Sequence, residues 1–282
     1  MAEFYKTRIG DVEVIALNDG TMQAPNALFP DHEPAKAEAA AAQAGIAYDG
    51  ETVTIPVSAF VLRMPGAVVL VDSGNPAGRS DTTGFFGAAL AEAGVDPAEV
   101  SHIAMTHLHV DHIGGLTGPD GTATFPNAEL IYGAGDWEHF HSDAVFAKAN
   151  ERSQGSILTT RERVAPYADR RREVSGETPI LSGLTMVPLP GHTPGHSGLL
   201  VEDSGQQLMI WGDTIHCETF QLAQPDWGVM FDVDIDTARM SRKRVFDRVA
   251  TDRIMVAGPH VNFPGFAYLE PAAQGYRLVR DA

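Results

Sequence analysis

The chain has 282 residues, 44% of them hydrophobic and 20% charged, a balance that supports a sizeable buried core and excludes global disorder. Acidic residues number 37 against 20 basic ones, and the formal charge of −17 repels nucleic-acid phosphates and anionic lipid alike. Cys217 is the only cysteine, which excludes a disulfide scaffold, and no apolar run approaches membrane-spanning length, so the expectation is a cytoplasmic protein without nucleic-acid or membrane partners.

Val12 to Leu17, Val57 to Arg63 and Val68 to Val71 read as strands, closed by the turn-forming pairs Asp19-Gly20, Pro65-Gly66 and Ser73-Gly74. Residues 34 to 46 are Ala-rich and predict a helix that covers the sheet or meets another subunit. A helix follows over Phe85 to Ala93, and Asp96-Pro97-Ala98-Glu99 supplies an N-cap, a proline at the first helical position and an acid at the third. His102 to Thr106 and Glu129 to Tyr132 predict strands, with helices around Asp136 to Lys148 and Ser156 to Tyr167. The second half repeats the alternation, with strands near Leu184 to Leu189, Gly198 to Val201, Gln207 to Trp211 and Arg253 to Val256 and a helix from Thr237 to Ala250. In that helix Met240, Val245, Phe246 and Val249 fall near one face expected to pack, leaving Arg and Lys on a solvated face. No repeat of 20 to 50 residues is visible, so residues 1–282 are expected to form one domain of layered sheets covered by helices.

The chemistry concentrates after the strand at 102 to 106. Thr106-His107-Leu108-His109-Val110-Asp111-His112 packs imidazoles and a carboxylate into one short run, closed by Ile113-Gly114-Gly115. A single histidine here would read as an ordinary hydrogen-bonded residue. Several side by side, without an ion, would leave polar groups competing for partners, at a cost of about 1–3 kcal/mol for each one left unsatisfied. Imidazole and carboxylate suit zinc and, less exclusively, manganese, iron or cobalt. Three later segments place similar groups at strand exits: Gly191-His192-Thr193-Pro194-Gly195-His196, Gly212-Asp213-Thr214 and Gly258-Pro259-His260. Gly and Pro beside His192 fix a tight turn and allow close backbone approach.

In this order, and with Val71-Asp72-Ser73-Gly74 as a first motif, these residues resemble the metallo-β-lactamase-fold hydrolases across nearly the whole chain. The resemblance implies a four-layer αββα sandwich (an α/β, or α+β, fold) with a two-metal site at one edge. One ion would take His107, His109 and His192, the other Asp111, His112 and His260, and Asp213 would bridge them. Asp72, Thr106 and His196 are expected in the supporting shell, since ligating imidazoles donate their second N–H outward. Gly10 to Gly20, His260-Val261-Asn262-Phe263-Pro264-Gly265 and Gly275-Tyr276-Arg277 look like the methyl parathion hydrolase and acyl-homoserine lactonase branch. Some lactonases of that branch carry a tyrosine three residues after the bridging aspartate, placed to bind the substrate carbonyl. Here the position is His216, read either as a hydrogen-bond donor in that role or as a pocket-wall or surface residue.

The expected cofactors are two divalent ions, zinc first and manganese, cobalt or iron as alternatives. At about 3.5–4 Å apart they would bring a shared water to a pKa of roughly 7, giving a bridging hydroxide that attacks a lactone or other carboxylic ester, with phosphotriesters as further substrates. Asp111 would orient that hydroxide and shuttle a proton. The expected partner is a small neutral molecule, with a homodimer as the oligomer of the resembling branch. A glyoxalase II-like thioester hydrolase is the alternative, though no basic cluster for glutathione accompanies the motifs. A mononuclear-iron persulfide dioxygenase would have no use for Asp111, His112 and His260 together, and the intact ligand set argues against a non-catalytic metal-binding protein. Trp137, Phe140, Phe220 and Trp227 read as core aromatics before they read as substrate platforms.

Overall fold

The structure is a computed structural model that describes residues 3–280. Seven strands form the first sheet in sequence order: Glu3–Ile9 (β1), Val12–Pro25 (β2), Thr52–Met64 (β3), Ala67–Val71 (β4), His102–Ala104 (β5), Glu129–Gly133 (β6) and Arg171–Val174 (β7). β1 to β4 pair antiparallel, and β4 to β7 pair parallel. The second sheet is ordered just as simply: Thr178–Leu181 (β8), Leu184–Pro188 (β9), Ser197–Asp203 (β10), Gln206–Ile210 (β11), Met255–Ala257 (β12), Ala267–Pro271 (β13) and Tyr276–Val279 (β14). Only β11 and β12 pair parallel there. The helices are Pro34–Ala44 (α1), Phe86–Glu92 (α2), Val110–Ile113 (α3), Asp136–His141 (α4), Asp143–Lys148 (α5), Glu151–Val164 (α6), Glu218–Ala223 (α7) and Ile235–Thr251 (α8).

Side chains of a strand alternate between faces, and here both faces are covered, so the strands read as unbroken apolar runs. In β2, Val14 and Ala16 enter the core between the sheets with Phe60, Leu62, Val69, Val71, Leu199, Val201, Leu208 and Ile210. Their neighbours Ile15 and Leu17 face the other way, onto Phe86, Leu90, Ile157 and Val164 of α2 and α6. Leu200 and Met209 likewise leave the second sheet outward to meet Val245, Phe246 and Val249 of α8. The layers are therefore helix, sheet, sheet, helix, the αββα sandwich that the motifs imply. α1 packs Ala37 and Ala40 against Phe29, Phe220 and Trp227, covering the extended end of the β2–β3 pair. None of the helices described is long and apolar enough to cross a membrane.

Several local readings change. Asp19-Gly20 does not close β2 but sits at a bulge within it, where the pairing slips between Asn18 and Gly20. Asp19 is buried and accepts from Asn75 N (3.0 Å), Asn75 Nδ2 (2.9 Å) and Phe86 N (2.8 Å), pinning the exit of β4 to the start of α2. The helix expected over 136–148 is two, because Ser142 adopts extended geometry and its hydroxyl caps the second at Val145 N. β5 ends at Ala104, so Met105 to His109 form a loop. β1, β7, β8, β13 and β14 had no reading from the sequence.

The largest correction concerns α8. Met240 is 64% exposed, whereas Arg242 is 1% exposed and points inward. Positions 238, 242, 245 and 249 share the buried face, spaced by helical turns, and Met240 lies off it. Arg242 donates to the carbonyls of Thr214 (2.6 Å), Pro225 (2.8 Å) and Trp227 (2.9 Å). Burial pulls its pKa down to about 10, so the guanidinium stays charged at neutral pH. This fork holds the chain that follows Asp213. Replacing it with methionine leaves those carbonyls without donors, and Arg242→Met should lower unfolding free energy by about 3 kcal/mol or more in urea titrations, with Arg242→Lys restoring only part because its ammonium cannot span the fork.

Candidate metal centre

Parallel pairing aligns the carboxyl ends of β4 and β5, and those of β11 and β12, so loops from both sheets open at one edge of the sandwich. The His107–His112 run leaves β5, Asp213 follows β11, His260 follows β12, and His192 lies between β9 and β10. The first loop is clasped by the one after β4: Ser73 N and Oγ both donate to His112 O (2.6 and 2.8 Å), and Gly114 N donates to Gly74 O (2.8 Å). Gly114 is required here, since a Cβ would lie 2.1 Å from Pro76 N. Gly191 has φ 126°, and a Cβ on it would lie 2.1 Å from Ala238 N at the start of α8, so the turn expected before His192 also needs its glycine.

Every candidate named from the sequence lies in this cluster. His107 Nε2 is 3.0 Å from His109 Nδ1, which is 2.9 Å from His192 Nε2. Asp111 Oδ2 is 3.8 Å from both His112 Nε2 and His260 Nε2. Asp213 lies between the two groups: its Oδ2 is 3.6, 3.2 and 3.3 Å from the Nε2 atoms of His107, His192 and His260, and its Oδ1 is 3.2 Å from His112 Nε2. His216 is a buried fourth wall, not a surface residue, with Nε2 3.0 Å from Asp213 Oδ2 and its ring stacked on His260 at 5.0 Å. His109 and Asp111 keep partial exposure, which marks the open face.

The outer nitrogens fix the rings. His192 Nδ1 donates to Asp232 Oδ1 (2.9 Å), His112 Nδ1 to Asp72 Oδ2 (2.9 Å) and His260 Nδ1 to the Pro56 carbonyl (2.7 Å). His107 Nδ1 donates to Thr106 Oγ1 (3.1 Å), whose hydroxyl donates on to Asp72 Oδ2 (2.8 Å). With those protons outward, each Nε2 presents a lone pair to the centre. His196 donates Nδ1–H to Leu189 O (2.7 Å) and accepts Asp213 N–H at Nε2 (2.8 Å); burial pushes its pKa down to about 3, so it remains a neutral support. Asp72, Thr106 and His196 thus sit one bond out from the centre.

The donor set fits divalent metal. His109 Nδ1 faces two imidazole nitrogens within 3.0 Å and has at most one proton to share, so a lone pair is left facing a lone pair. His112 Nε2 and Asp213 Oδ1 are buried and find no hydrogen-bond partner. Burial, with His112 beside His107 and His192 beside His109, holds both rings well below the usual histidine range, in the neutral form that ligates. Burial disfavours charge on Asp213, yet His112, His260, His107 and His216 hold its carboxyl well below the usual carboxylate range. The groups that can each gather around one ion are His107–His109–His192, His107–His112–Asp213, Asp111–His112–His260 and His192–Asp213–His216.

Imidazoles gathered around a buried carboxylate, at the edge of an αββα sandwich, are the setting of a metallohydrolase. The chain belongs to the metallo-beta-lactamase superfamily, whose sequence profile matches residues 53–256. An N-acyl homoserine lactonase from a Bacillus species is 25% identical over 232 residues, covering 75% of this chain and 83% of that one. AidC, a dizinc quorum-quenching lactonase, superposes with a TM-score of 0.91 at 22% identity, covering 100% of this chain and 98% of AidC. The hydrolase AbOPH of the beta lactamase superfamily has the same TM-score and coverage at 26% identity.

Three contributors lay beyond the sequence reading. Asp232 and the Pro56 carbonyl carry no motif. Asp136 had only a helix start to its name, yet its carboxylate joins two ligand loops, accepting from Leu108 N (3.1 Å) and Gly195 N (2.6 Å). Burial raises its pKa to about 6, the hydrogen bonds opposing the shift. The native state therefore holds this proton more tightly than the unfolded chain, and the Asp136 contribution to stability falls as pH rises from 3.8 to about 6. Asp136→Asn should flatten that part of the pH–stability curve in urea titrations, and Asp136→Ala should cost about 2–4 kcal/mol by leaving two buried N–H groups unpaired.

Proposed function

We propose that this protein is a dinuclear metal-dependent hydrolase of lactones or closely related carboxylic esters. The observation that carries this reading is Asp213, whose carboxylate lies between the two histidine groups, within 3.2–3.6 Å of His107 and His192 on one side and of His112 and His260 on the other. Its lactonase relatives support the same reading. His107, His109 and His192 would hold one ion and Asp111, His112 and His260 the other, with Asp213 shared and zinc the first choice. When bound, such ions supply Lewis acidity, polarising the scissile carbonyl and making a water nucleophilic near neutral pH. Donors come from both sheets, so the chain would act as one catalytic domain.

The remaining roles fall to the protein. Asp111 is partly exposed, and its Oδ2 sits 3.8 Å from two imidazoles, a position from which it can orient the attacking water and pass its proton towards the leaving oxygen. His216 differs from the donor role that the tyrosine comparison suggests. Its Nε2–H is directed at Asp213, so Nδ1, which has no partner, presents a lone pair, and burial lowers its pKa and keeps the ring neutral. We assign it as a neutral acceptor for a proton passed within the buried centre.

A cavity of about 520 Å³ is lined by Pro56, whose carbonyl accepts from His260, and by Cys217, which follows His216, with Ile46, Val53 and Phe220 among its apolar walls. Its charged lining residues are Asp49 and Glu218, which suits an uncharged tail better than an anionic thioester such as glutathione's.

A panel of lactones, aryl esters, thioesters and phosphotriesters, scored by kcat/KM alongside metal analysis, tests the assignment. The expected result is about two divalent ions per chain and highest efficiency on lactones; a single iron, or thioesters far ahead, would sink it. His216→Phe should keep both ions and lower kcat by roughly 100-fold if the ring handles a proton. Full activity in that variant would reduce His216 to a wall.

A further inference from the structure

The outer partners of the ligating histidines differ in how they are built. Pro56 lies within β3, Asp72 directly follows β4, and Thr106 lies two residues past β5. Asp232 instead lies on the loop 228–234, whose neighbouring side chains Met230 (66% exposed), Phe231 (41%) and Val233 (50%) face solvent. The Asp232 side chain is only 1% exposed and uses both oxygens: Oδ1 accepts from His192 Nδ1 and Oδ2 from Val229 N (3.0 Å). Val233 N donates to His192 O (3.1 Å) and Asp234 N to Gly191 O (2.9 Å), so the loop lies along the turn that carries the ligand. Its other side is bound to the β2–β3 connection through Met230 N to Leu28 O (2.9 Å) and Gly228 N to Asp31 Oδ2 (3.1 Å).

We infer that Asp232 is a positioning residue that couples metal occupancy at His192 to the order of the 228–234 loop and its apolar tip. The inference rests on His192 being a ligand, as proposed above. An ion on Nε2 withdraws charge from the ring and makes Nδ1–H a stronger donor to the carboxylate. Asp232 in return fixes the ring orientation and raises its affinity. Such coupling is reciprocal: whatever the loop contributes to metal binding, metal returns to the loop. The apolar tip beside the centre is then presented in one conformation only when the site is loaded.

Two measurements on the full chain test this, neither of which depends on turnover. Zinc competition against a chromophoric chelator should resolve two ions in the wild type. In Asp232→Asn one of them should bind roughly 10- to 100-fold more weakly, with the other unchanged. Hydrogen exchange of peptides covering 228–234 should slow on adding zinc to metal-free wild type, and much less so in the variant. The control Phe231→Ser, which alters the tip without touching the carboxylate, should retain wild-type zinc affinity. Equal exchange with and without zinc in the wild type, or wild-type affinity in Asp232→Asn, overturns the coupling. A wild type that binds no zinc at His192 instead overturns the dinuclear reading on which it stands, and the exchange comparison needs no variant to fold.

Discussion

The centre depends on one buried carboxylate. Asp213 is 3% exposed and makes its closest approaches to imidazole nitrogens contributed by four different segments of chain. Burying an anion costs several kcal/mol unless positive charge or donors compensate, and here the histidines direct their protons outward, to Asp72, Asp232, Thr106 and a backbone carbonyl. Only His216 is left to aim an Nε2–H at the central anion, and Asp213 Oδ1 has no hydrogen-bond partner. What remains is cation coordination, and the surrounding hydrogen bonds hold each ring to that purpose.

The same requirement explains where the fold spends its backbone constraints. Loops from opposite sheets must meet within hydrogen-bond distance, so close approach takes priority over side-chain packing at Gly133 and Gly195, where a Cβ on either would lie 2.1 or 2.3 Å from the other's carbonyl oxygen. Asp19 and Asp136 act as buried anchors rather than reactive groups, each accepting backbone N–H groups from segments that otherwise have no secondary structure in common. Arg242 does the reverse, offering donors to three carbonyls in the stretch after Asp213. Irregular chain around a site must satisfy its polar groups through side chains, because the sheet ladders have ended.

This division decides what could be read in advance. His107, His109, Asp111 and His112 are legible because a tight turn gathers near neighbours in sequence, and His192, Asp213 and His260 because each follows an apolar run with Gly or Pro alongside. The layered fold follows from strands apolar on both faces. Asp232 was invisible since it sits 40 residues from its partner, in a loop without periodicity. Arg242 was misread because helical spacing locates the buried face only to within a residue or so, and charge tipped the reading toward Met240. A buried arginine becomes intelligible only when the carbonyls it serves are known. Short edge strands such as β7 and β14 have alternation too brief to separate from loop.

Charge balance links the local design to the rest of the molecule. Asp72, Asp111, Asp213 and Asp232 crowd one edge of a chain whose formal charge is already −17. No lysine or arginine ion pair is made to any of them among the described residues; their ion-pair partners are histidines. Two divalent ions would match the formal charge of these carboxylates, leaving neutral imidazoles to complete the shell. Because Asp213 and His260 come from one sheet and Asp111 and His112 from the other, that neutralisation also joins the halves of the sandwich across its open edge. Metal binding and the docking of the sheets are then linked equilibria: ions that bind only the assembled centre stabilise the packing of Val14, Phe60, Leu199 and Ile210 between the sheets, and loss of that packing disperses the ligands.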